Sequence, residues 1–207
     1  MNRAAASRLR EIALFDFDGT VTYRDTLMPF LLHTLPARRV VGGVPTAFIG
    51  GFGAALQRSR DSAKEAVCRA FLHGLDDADF RTACLAFAAT RLPAAVRPEA
   101  TRRIDWHRGQ GHRLVLVSAS LEGYLAPWAE AAGFDDVLAT RLQVLDGRLT
   151  GRLDGANCRG AEKVRRIRGL LGDLDGFVVH AYGDSAGDRE MLALADFPYY
   201  RTLAPQA

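Results

Sequence analysis

Two carboxylates stand two residues apart in the run Asp16-Phe17-Asp18-Gly19-Thr20, at the end of the apolar segment 12–17. Side chains two residues apart in extended backbone point to the same side, so two negative charges would meet there. Their repulsion resists joint ionisation, and a divalent cation that prefers hard oxygen ligands, such as Mg²⁺, removes it. Gly19 allows a tight turn and a close approach of backbone N–H groups to an anion. Exposed turn acids are the alternative interpretation.

Further polar residues follow two other apolar runs. Ser118 comes directly after 114–117, and Asp184 follows 177–181 and Gly183. Ligands of open α/β sheets bind beyond the carboxyl ends of the strands, so we expect Asp16, Asp18, Ser118 and Asp184 to share one edge. Ser118 could instead cap a strand end, and Asp184 could be a turn residue.

Apolar runs and turn residues predict the elements that would carry this edge. Strands are expected at 12–17, 114–117, 137–142, 177–181 and 197–202, with a hairpin at Asp146-Gly147 joining 142–145 to 148–152. Helices are expected at 98–108, 121–132, 160–171 and 186–194. This alternation predicts an α/β fold, a doubly wound, mostly parallel, Rossmann-like sheet covered on both faces.

Residues 24–92 differ from the rest because they are rich in Ala, Leu and Arg and carry no strand signal. They predict a helical cap domain inserted after the first strand, which leaves 1–23 and 93–207 as the α/β catalytic core. Within the cap, the stretch 40–56 has no charged residue, and arginines flank it. It is shorter than the roughly 20 residues of a spanning helix and contains five glycines, so an internal cap segment is predicted. An element that dips into a membrane surface is the alternative.

Composition narrows the function classes. The 207 residues carry a net charge of +3, a weak sign of anionic partners, and no run of like charge or basic aromatic stripe predicts nucleic-acid binding. Three scattered cysteines predict neither a zinc knuckle nor a disulfide framework and favour a reducing cytoplasm. The five histidines show no metal-ligand spacing.

Four segments together resemble a known family. The run 16–20 after an apolar strand, Ser118, Lys163 within 158–164, and Gly183-Asp184-Ser185-Ala186-Gly187-Asp188 match, in this order, the four motifs of the haloacid dehalogenase-like hydrolase superfamily. A helical cap between the first and second motifs is similar to the phosphoserine-phosphatase-like branch, subclass IB. The resemblance spans about residues 11 to 202.

The resemblance implies a Mg²⁺-dependent phosphatase that forms an aspartyl-phosphate. In that scheme Asp16 attacks phosphorus, and Asp18 protonates the leaving oxygen and then activates water. Asp16, Asp184 and the backbone carbonyl of Asp18 would hold Mg²⁺. The implied phosphate-binding groups are Ser118, Lys163 and the backbone amides near Gly19 and Ala119, and Asp188 would support metal-bound waters or orient Lys163. Lys163 could instead be one charge of a basic helix face, and Asp188 a cap or an ion-pair partner.

The sequence departs from phosphoserine-specific relatives at the substrate. Gly187 stands where those relatives usually carry Asn, and the arginine that would grip a serine carboxylate has no clear match. Candidate specificity residues are Asp25, Arg58, Arg60 and Lys64. A small phosphorylated metabolite in the cytoplasm is therefore predicted. Alternatives are a phosphatidylglycerophosphate-type lipid phosphate reached through peripheral membrane contact of the cap, phosphotransfer to another acceptor, and a non-catalytic binding protein.

Overall fold

The core of the protein is a six-stranded sheet. A computed structural model describes residues 10–43 and 60–204, except for the side chains of 60–62. The strand order is β4-β3-β2-β1-β5-β6, and all neighbours are parallel except β3 and β4, which form an antiparallel hairpin. The strands are β1 (Arg10–Phe15), β2 (Arg113–Leu121), β3 (Asp136–Leu145), β4 (Arg148–Asp154), β5 (Phe177–Gly183) and β6 (Phe197–Tyr200). The predicted α/β fold class is confirmed.

The sheet is buried on both faces because alternate side chains of its strands enter two separate apolar clusters. Ile12 and Leu14 of β1 pack in one cluster with Ile167 and Met191, which lie on helices after β4 and β5. Ala13 and Phe15 enter the other cluster, which contains the helices on the opposite face. This two-sided burial explains why these strands read as continuous apolar runs in the sequence.

Helices accompany the sheet throughout the part of the chain that the structure describes. They are α1 (Leu27–Thr34), α2 (Arg60–Leu72), α3 (Asp77–Thr90), α4 (Leu92–Ala95), α5 (Pro98–Gly109), α6 (Glu122–Ala132), α7 (Ala161–Leu171) and α8 (Arg189–Leu192); residues 37–43 are also helical. Asp76 caps α3, because its carboxylate accepts from the amides of Ala78 and Asp79.

Three predicted elements have different bounds. β1 ends at Phe15 rather than at residue 17, because Asp16 and its neighbours turn away from the sheet. β2 continues past Ser118 to Leu121, with a shift in its pairing to β3 between these two residues. The predicted helix 186–194 is a short turn at Ala186–Asp188 followed by α8, because the side chains of Ser185 and Asp188 hydrogen-bond the local backbone.

The chain leaves the sheet region and returns to it at neighbouring points. Thr22 and Val96 form an antiparallel bridge, and Arg97 N donates to the Val21 carbonyl at 2.9 Å. Helices α1 to α4 lie between these points, and their residues Phe30 and Phe87 pack against Tyr124 of α6 in the same apolar cluster as β1. The division into cap 24–92 and core remains a prediction.

The apolar stretch 40–56 falls largely outside the described residues, since residues 44–59 are not described. No helix within 10–43 and 60–204 combines the length and the apolar character that crossing a bilayer requires.

Candidate active site

The site begins at the turn that follows β1. Asp16 N donates to the Tyr182 carbonyl of β5 at 2.9 Å, and Thr22 N donates to the Phe17 carbonyl at 2.9 Å, which closes the turn. Gly19 has a φ of +82°, and a Cβ atom there would lie 2.5 Å from Asp184 Oδ2. Glycine is therefore required at this position both by backbone conformation and by space.

Lys163 joins two carboxylates below this turn. Its Nζ donates to Asp16 Oδ1 at 2.7 Å, to Asp188 Oδ1 at 2.6 Å and to the Val117 carbonyl at 2.7 Å. Lys163 and Asp188 are each 1% exposed and Asp16 is 6% exposed. The lysine of α7 is therefore a buried cation whose three donor positions are all occupied.

One lysine cannot neutralise two buried carboxylates. Burial acts to raise the pKa of Asp188, but Lys163 and the amide and hydroxyl of Ser185 outweigh it and lower that pKa. Burial raises the pKa of Asp16 to about 7, since the opposing effect of Lys163 is smaller and the Asp188 charge adds to the rise. Burial would lower the pKa of Lys163, yet its two acidic partners raise it. The negative charge of Asp16 therefore lacks full compensation within the protein.

A third carboxylate lies at the same point. Asp16, Asp184 and Asp188 each bring a carboxylate oxygen within 4.8 Å of the others. Asp188 already accepts from Lys163 and Ser185, whereas the half-buried Asp184 carboxylate accepts, from side chains of the described residues, only a 3.4 Å hydrogen bond from the Thr20 hydroxyl. Burial, with the Asp188 charge, raises the pKa of Asp184. Hard oxygen donors with surplus negative charge fit Mg²⁺.

Asp18 faces a separate set of hydrogen-bond donors. Its Oδ1 accepts from the Thr26 amide at 3.0 Å and from the Thr26 hydroxyl at 2.7 Å, and its Oδ2 accepts from the Ser120 hydroxyl. The Thr26 hydroxyl also contacts the Tyr124 hydroxyl at 3.1 Å. Burial raises the pKa of Asp18 to about 6, helped by Asp25 and opposed by Ser120 and Thr26. An acid with this pKa can both give and take a proton near neutral pH.

Several residues of this site are not among those predicted from the sequence. Thr26 bonds Asp18 directly, Tyr124 contacts the Thr26 hydroxyl, and no sequence spacing indicates either contact. Ser120 could have been found, because it stands two residues after Ser118 on the same strand. Arg97 was also missed; it donates to the Gly19 carbonyl at 2.8 Å and to the Thr22 carbonyl at 3.1 Å, which braces the turn after β1.

Two of the predicted phosphate-binding residues, Ser118 and Ala119, lie on β2. Ser118 is buried, and its hydroxyl accepts from the Ser120 amide at 3.0 Å. The Ala119 carbonyl accepts a hydrogen bond from Lys64 Nζ of α2, so this lysine reaches the strand that ends at the site. Burial lowers the pKa of Lys64.

The other predicted specificity residues are less informative. Asp25 is exposed, and its carboxylate accepts from the Leu27 amide at 3.0 Å at the start of α1. Arg60 begins α2, but its side chain lies outside the described residues, as does Arg58. At Gly187, a Cβ atom would lie 2.1 Å from Arg159 Nη1, so the arginine occupies the space that an asparagine side chain would need.

A groove of about 890 Å³ borders the site at Gly19, Thr20 and Asp184. Four arginines line it, namely Arg97, Arg102, Arg103 and Arg201. Their charge raises the local concentration of anions, which suits a site for anionic substrates.

Comparison with known proteins identifies the family of this chain. Residues 13–193 match the family model described as haloacid dehalogenase-like hydrolase. The chain is 39% identical over 194 residues to protein CicA of Caulobacter vibrioides, covering 92% of this chain and 85% of that one. It is 31% identical over 195 residues to a probable phosphatase of Mycobacterium tuberculosis, covering 90% of this chain and 67% of the relative.

Solved structures share the fold. A Bordetella pertussis protein of unknown function superposes with a TM-score of 0.73 at 23% identity, over 90% of this chain and 87% of that chain. A phosphoserine phosphatase described as a phospho-aspartyl intermediate analogue superposes with a TM-score of 0.58 at 22% identity, over 91% and 84%. The chain therefore belongs to the haloacid dehalogenase-like hydrolase family, with the fold of its phosphoserine-phosphatase-like structures.

Proposed function

We propose that this hydrolase is a phosphatase that cleaves phosphate monoesters through an aspartyl-phosphate on Asp16, with Mg²⁺ as cofactor. The observation that carries the proposal is the buried contact of Lys163 with both Asp16 and Asp188, beside Asp184 and at the carboxyl ends of β1, β2 and β5. The similarity to a probable phosphatase supports it. So does a structural neighbour whose description names a phospho-aspartyl intermediate analogue.

The residues divide the reaction into two steps. Lys163 holds Asp16 Oδ1 and so directs the other oxygen, Oδ2, to attack phosphorus, while the bond from phosphorus to the leaving oxygen breaks. Asp18 gives its proton to that leaving oxygen. Asp18 then takes a proton from the water that attacks phosphorus, which releases phosphate and restores the Asp16 carboxylate.

Asp16, Asp184 and the Asp18 backbone carbonyl would hold the Mg²⁺ ion, which supplies charge stabilisation to the phosphoryl oxygens when it is bound. Asp188 acts through Lys163, because both of its oxygens already accept hydrogen bonds from Lys163 and from Ser185. Ser118, Lys163 and the amides near Gly19 and Ala119 are the groups proposed to bind the phosphoryl oxygens.

Phosphate release from an aryl phosphate tests the mechanism. Asp16→Asn is expected to reduce turnover to background and to prevent acid-stable labelling of the protein by a phosphoryl-labelled substrate. Asp175→Asn, which changes an exposed carboxylate, is the matched control and should leave both signals intact. EDTA should stop turnover and Mg²⁺ should restore it. Normal turnover by a folded Asp16→Asn protein would refute the aspartyl-phosphate.

The substrate is proposed to be a small phosphorylated metabolite. Lys64 contacts the Ala119 carbonyl of β2, one residue after Ser118. Asp25 and Thr26 line a cavity of about 670 Å³, and Thr26 hydrogen-bonds Asp18. A cavity of this size is within the usual range for small-molecule sites. Wild type and Lys64→Ala would be screened against phosphorylated metabolites. The activity of Lys64→Ala on the preferred metabolite should fall by a larger factor than its activity on an aryl phosphate.

A lipid phosphate is the second candidate, favoured by exposed apolar side chains near the start of the 44–59 segment. Leu32 is 59% exposed and Val41 is 71% exposed. Sedimentation with phosphatidylglycerol-containing vesicles would compare wild type with Leu32→Ser/Val41→Ser. Leu145→Ser is the control, because Leu145 is 64% exposed on β3. Absence of vesicle binding by the wild type would remove this candidate.

A further inference from the structure

Two histidines and a glutamate meet outside the carboxylate cluster of the candidate active site, and one of them, His180, also lines the groove that borders that site. Glu11 Oε2 lies 3.1 Å from His112 Nε2 and 3.1 Å from His180 Nε2, and the three atoms are all within 4.8 Å of one another. Glu11 precedes Asp16 by five residues on β1, which separates the two places by roughly 16 Å at ~3.3 Å per strand residue. The sequence showed no metal-ligand spacing because these residues come from three different parts of the chain.

We propose that Glu11, His112 and His180 bind a Zn²⁺ ion. Two imidazoles and one carboxylate form a ligand set that zinc uses, with the fourth position left to water. Ligand atoms about 2.0–2.1 Å from a tetrahedral ion lie about 3.3 Å apart, close to the two separations of 3.1 Å observed. The Glu11 side chain is 40% exposed, so an ion and its water ligand can reach the site from solvent.

A second layer of contacts orients one of the ligands, His112. His107 Nδ1 lies 2.8 Å from His112 Nδ1, and His107 Nε2 lies 2.9 Å from the Tyr182 hydroxyl, which accepts from Arg103 Nε. Hydrogen bonds to the outer nitrogen of a metal-binding imidazole fix its orientation and tautomer. His112 therefore presents Nε2 toward Glu11 in a fixed direction.

Hydrogen bonding alone explains the cluster incompletely. Both imidazoles would have to donate to the same oxygen of Glu11, at separations longer than the ~2.7–2.9 Å of charge-assisted bonds. His180 is 6% exposed, and its Nδ1 has no hydrogen-bond partner among the described residues. A buried polar atom in this state costs about 1–3 kcal/mol. The His180 ring is held instead by stacking on Phe197, with 4.8 Å between the ring centroids.

Zinc binding to the full chain tests the proposal in saturating Mg²⁺, which fills hard-oxygen sites. Calorimetry with Zn²⁺ should show one equivalent bound, and Co²⁺ should give the visible absorption of a tetrahedral site. Glu11→Gln, which keeps the side-chain shape at a partly exposed position, should weaken Zn²⁺ binding at least tenfold. His112→Asn should abolish the Co²⁺ absorption. His33→Asn, which changes an exposed histidine of α1, should have no effect.

Thermal melts provide a second measurement that does not depend on activity. Zn²⁺ should raise the melting temperature of wild type and of His33→Asn, and should raise that of Glu11→Gln less, because the stabilisation by an ion depends on how tightly the folded state binds it. The proposal is overturned if wild type takes up no Zn²⁺ in the presence of Mg²⁺. It is equally overturned if Glu11→Gln and His112→Asn bind Zn²⁺ as wild type does.

Discussion

Replacing Asp16 with asparagine is expected to make the metal-free protein more stable while removing its activity. The asparagine side chain would mimic the protonated carboxyl, and its oxygen could still accept a hydrogen bond from Lys163. Asp188 already offsets the lysine charge, so an ionised Asp16 is a buried charge without full compensation. Active sites commonly retain such unfavourable charges because catalysis needs them.

The direction and size of this change in stability follow from the pKa of Asp16, which burial raises from 3.8 to about 7. The unfolded chain loses this proton near pH 3.8 and the folded chain keeps it to about pH 7, so wild-type stability falls as pH rises between these values. At about 1.4 kcal/mol per pH unit, the loss is about 2 kcal/mol at pH 5 and about 4 kcal/mol at pH 8. Asp16→Asn does not suffer this loss. For a chain of this length, about 4 kcal/mol corresponds to a melting temperature higher by about 8–16 °C.

Urea unfolding in EDTA at pH 5 and pH 8 measures the free energy of unfolding of both proteins. The free energy of unfolding of Asp16→Asn should exceed that of wild type by more at pH 8 than at pH 5. Added Mg²⁺ should reduce this difference because it stabilises wild type alone. Asp175→Asn should follow wild type at both pH values. Equal stability of wild type and Asp16→Asn at pH 8, or an advantage of the same size at both pH values, would refute the reasoning.

Three further substitutions follow from contacts in the site. Lys163→Met leaves two buried carboxylates without their cation, so the free energy of unfolding should fall by about 3–5 kcal/mol at pH 7 and phosphate release should fall to background. Ser120→Ala removes a hydrogen bond that lowers the pKa of Asp18, so the pH–rate profile of phosphate release should move to higher pH. Gly19→Ala places a Cβ atom 2.5 Å from Asp184 Oδ2 at a φ of +82°. It should lower the free energy of unfolding by at least about 1–2 kcal/mol and slow phosphate release.

Each of these three predictions can be contradicted by experiment. A Lys163→Met protein as stable as wild type would show that the buried contacts contribute nothing. An unmoved pH–rate profile in Ser120→Ala, with Thr26→Val also without effect, would show that hydroxyl donors do not set the proton affinity of Asp18. Wild-type melting and turnover in Gly19→Ala would show that the turn after β1 tolerates a side chain.

The strands and the edge at which the candidate site lies could be predicted because burial on both sheet faces leaves an unbroken apolar run in the sequence. Such runs mark β1, β2 and β5, and Asp16, Ser118 and Asp184 follow or end them. The carboxyl ends of parallel strands share one edge, so the meeting of Asp16 and Asp184 follows from topology.

Contacts between distant residues could not be predicted in the same way. Thr26 reaches Asp18 only because α1 starts beside the turn after β1, and His112 reaches Glu11 only because β2 pairs with β1. The shortness of the helix expected at 186–194 depends on Asp188, whose carboxylate bonds the Ser185 amide and hydroxyl instead of facing solvent. No rule of sequence spacing predicts these contacts.

The bridge between Thr22 and Val96 has a consequence for how this fold can diversify. Because Thr22 and Val96 hold the outgoing and returning chain side by side, the residues between them form a closed excursion from the sheet. Lengthening, shortening or exchanging the part of that excursion that follows Thr26 leaves the strand order and the carboxylates after β1 where they are, at a chain-closure cost that grows only slowly with length. Under the proposed function, substrate preference can therefore change by recombination of one continuous gene segment, while Asp16, Lys163, Asp184 and Asp188 lie outside that segment.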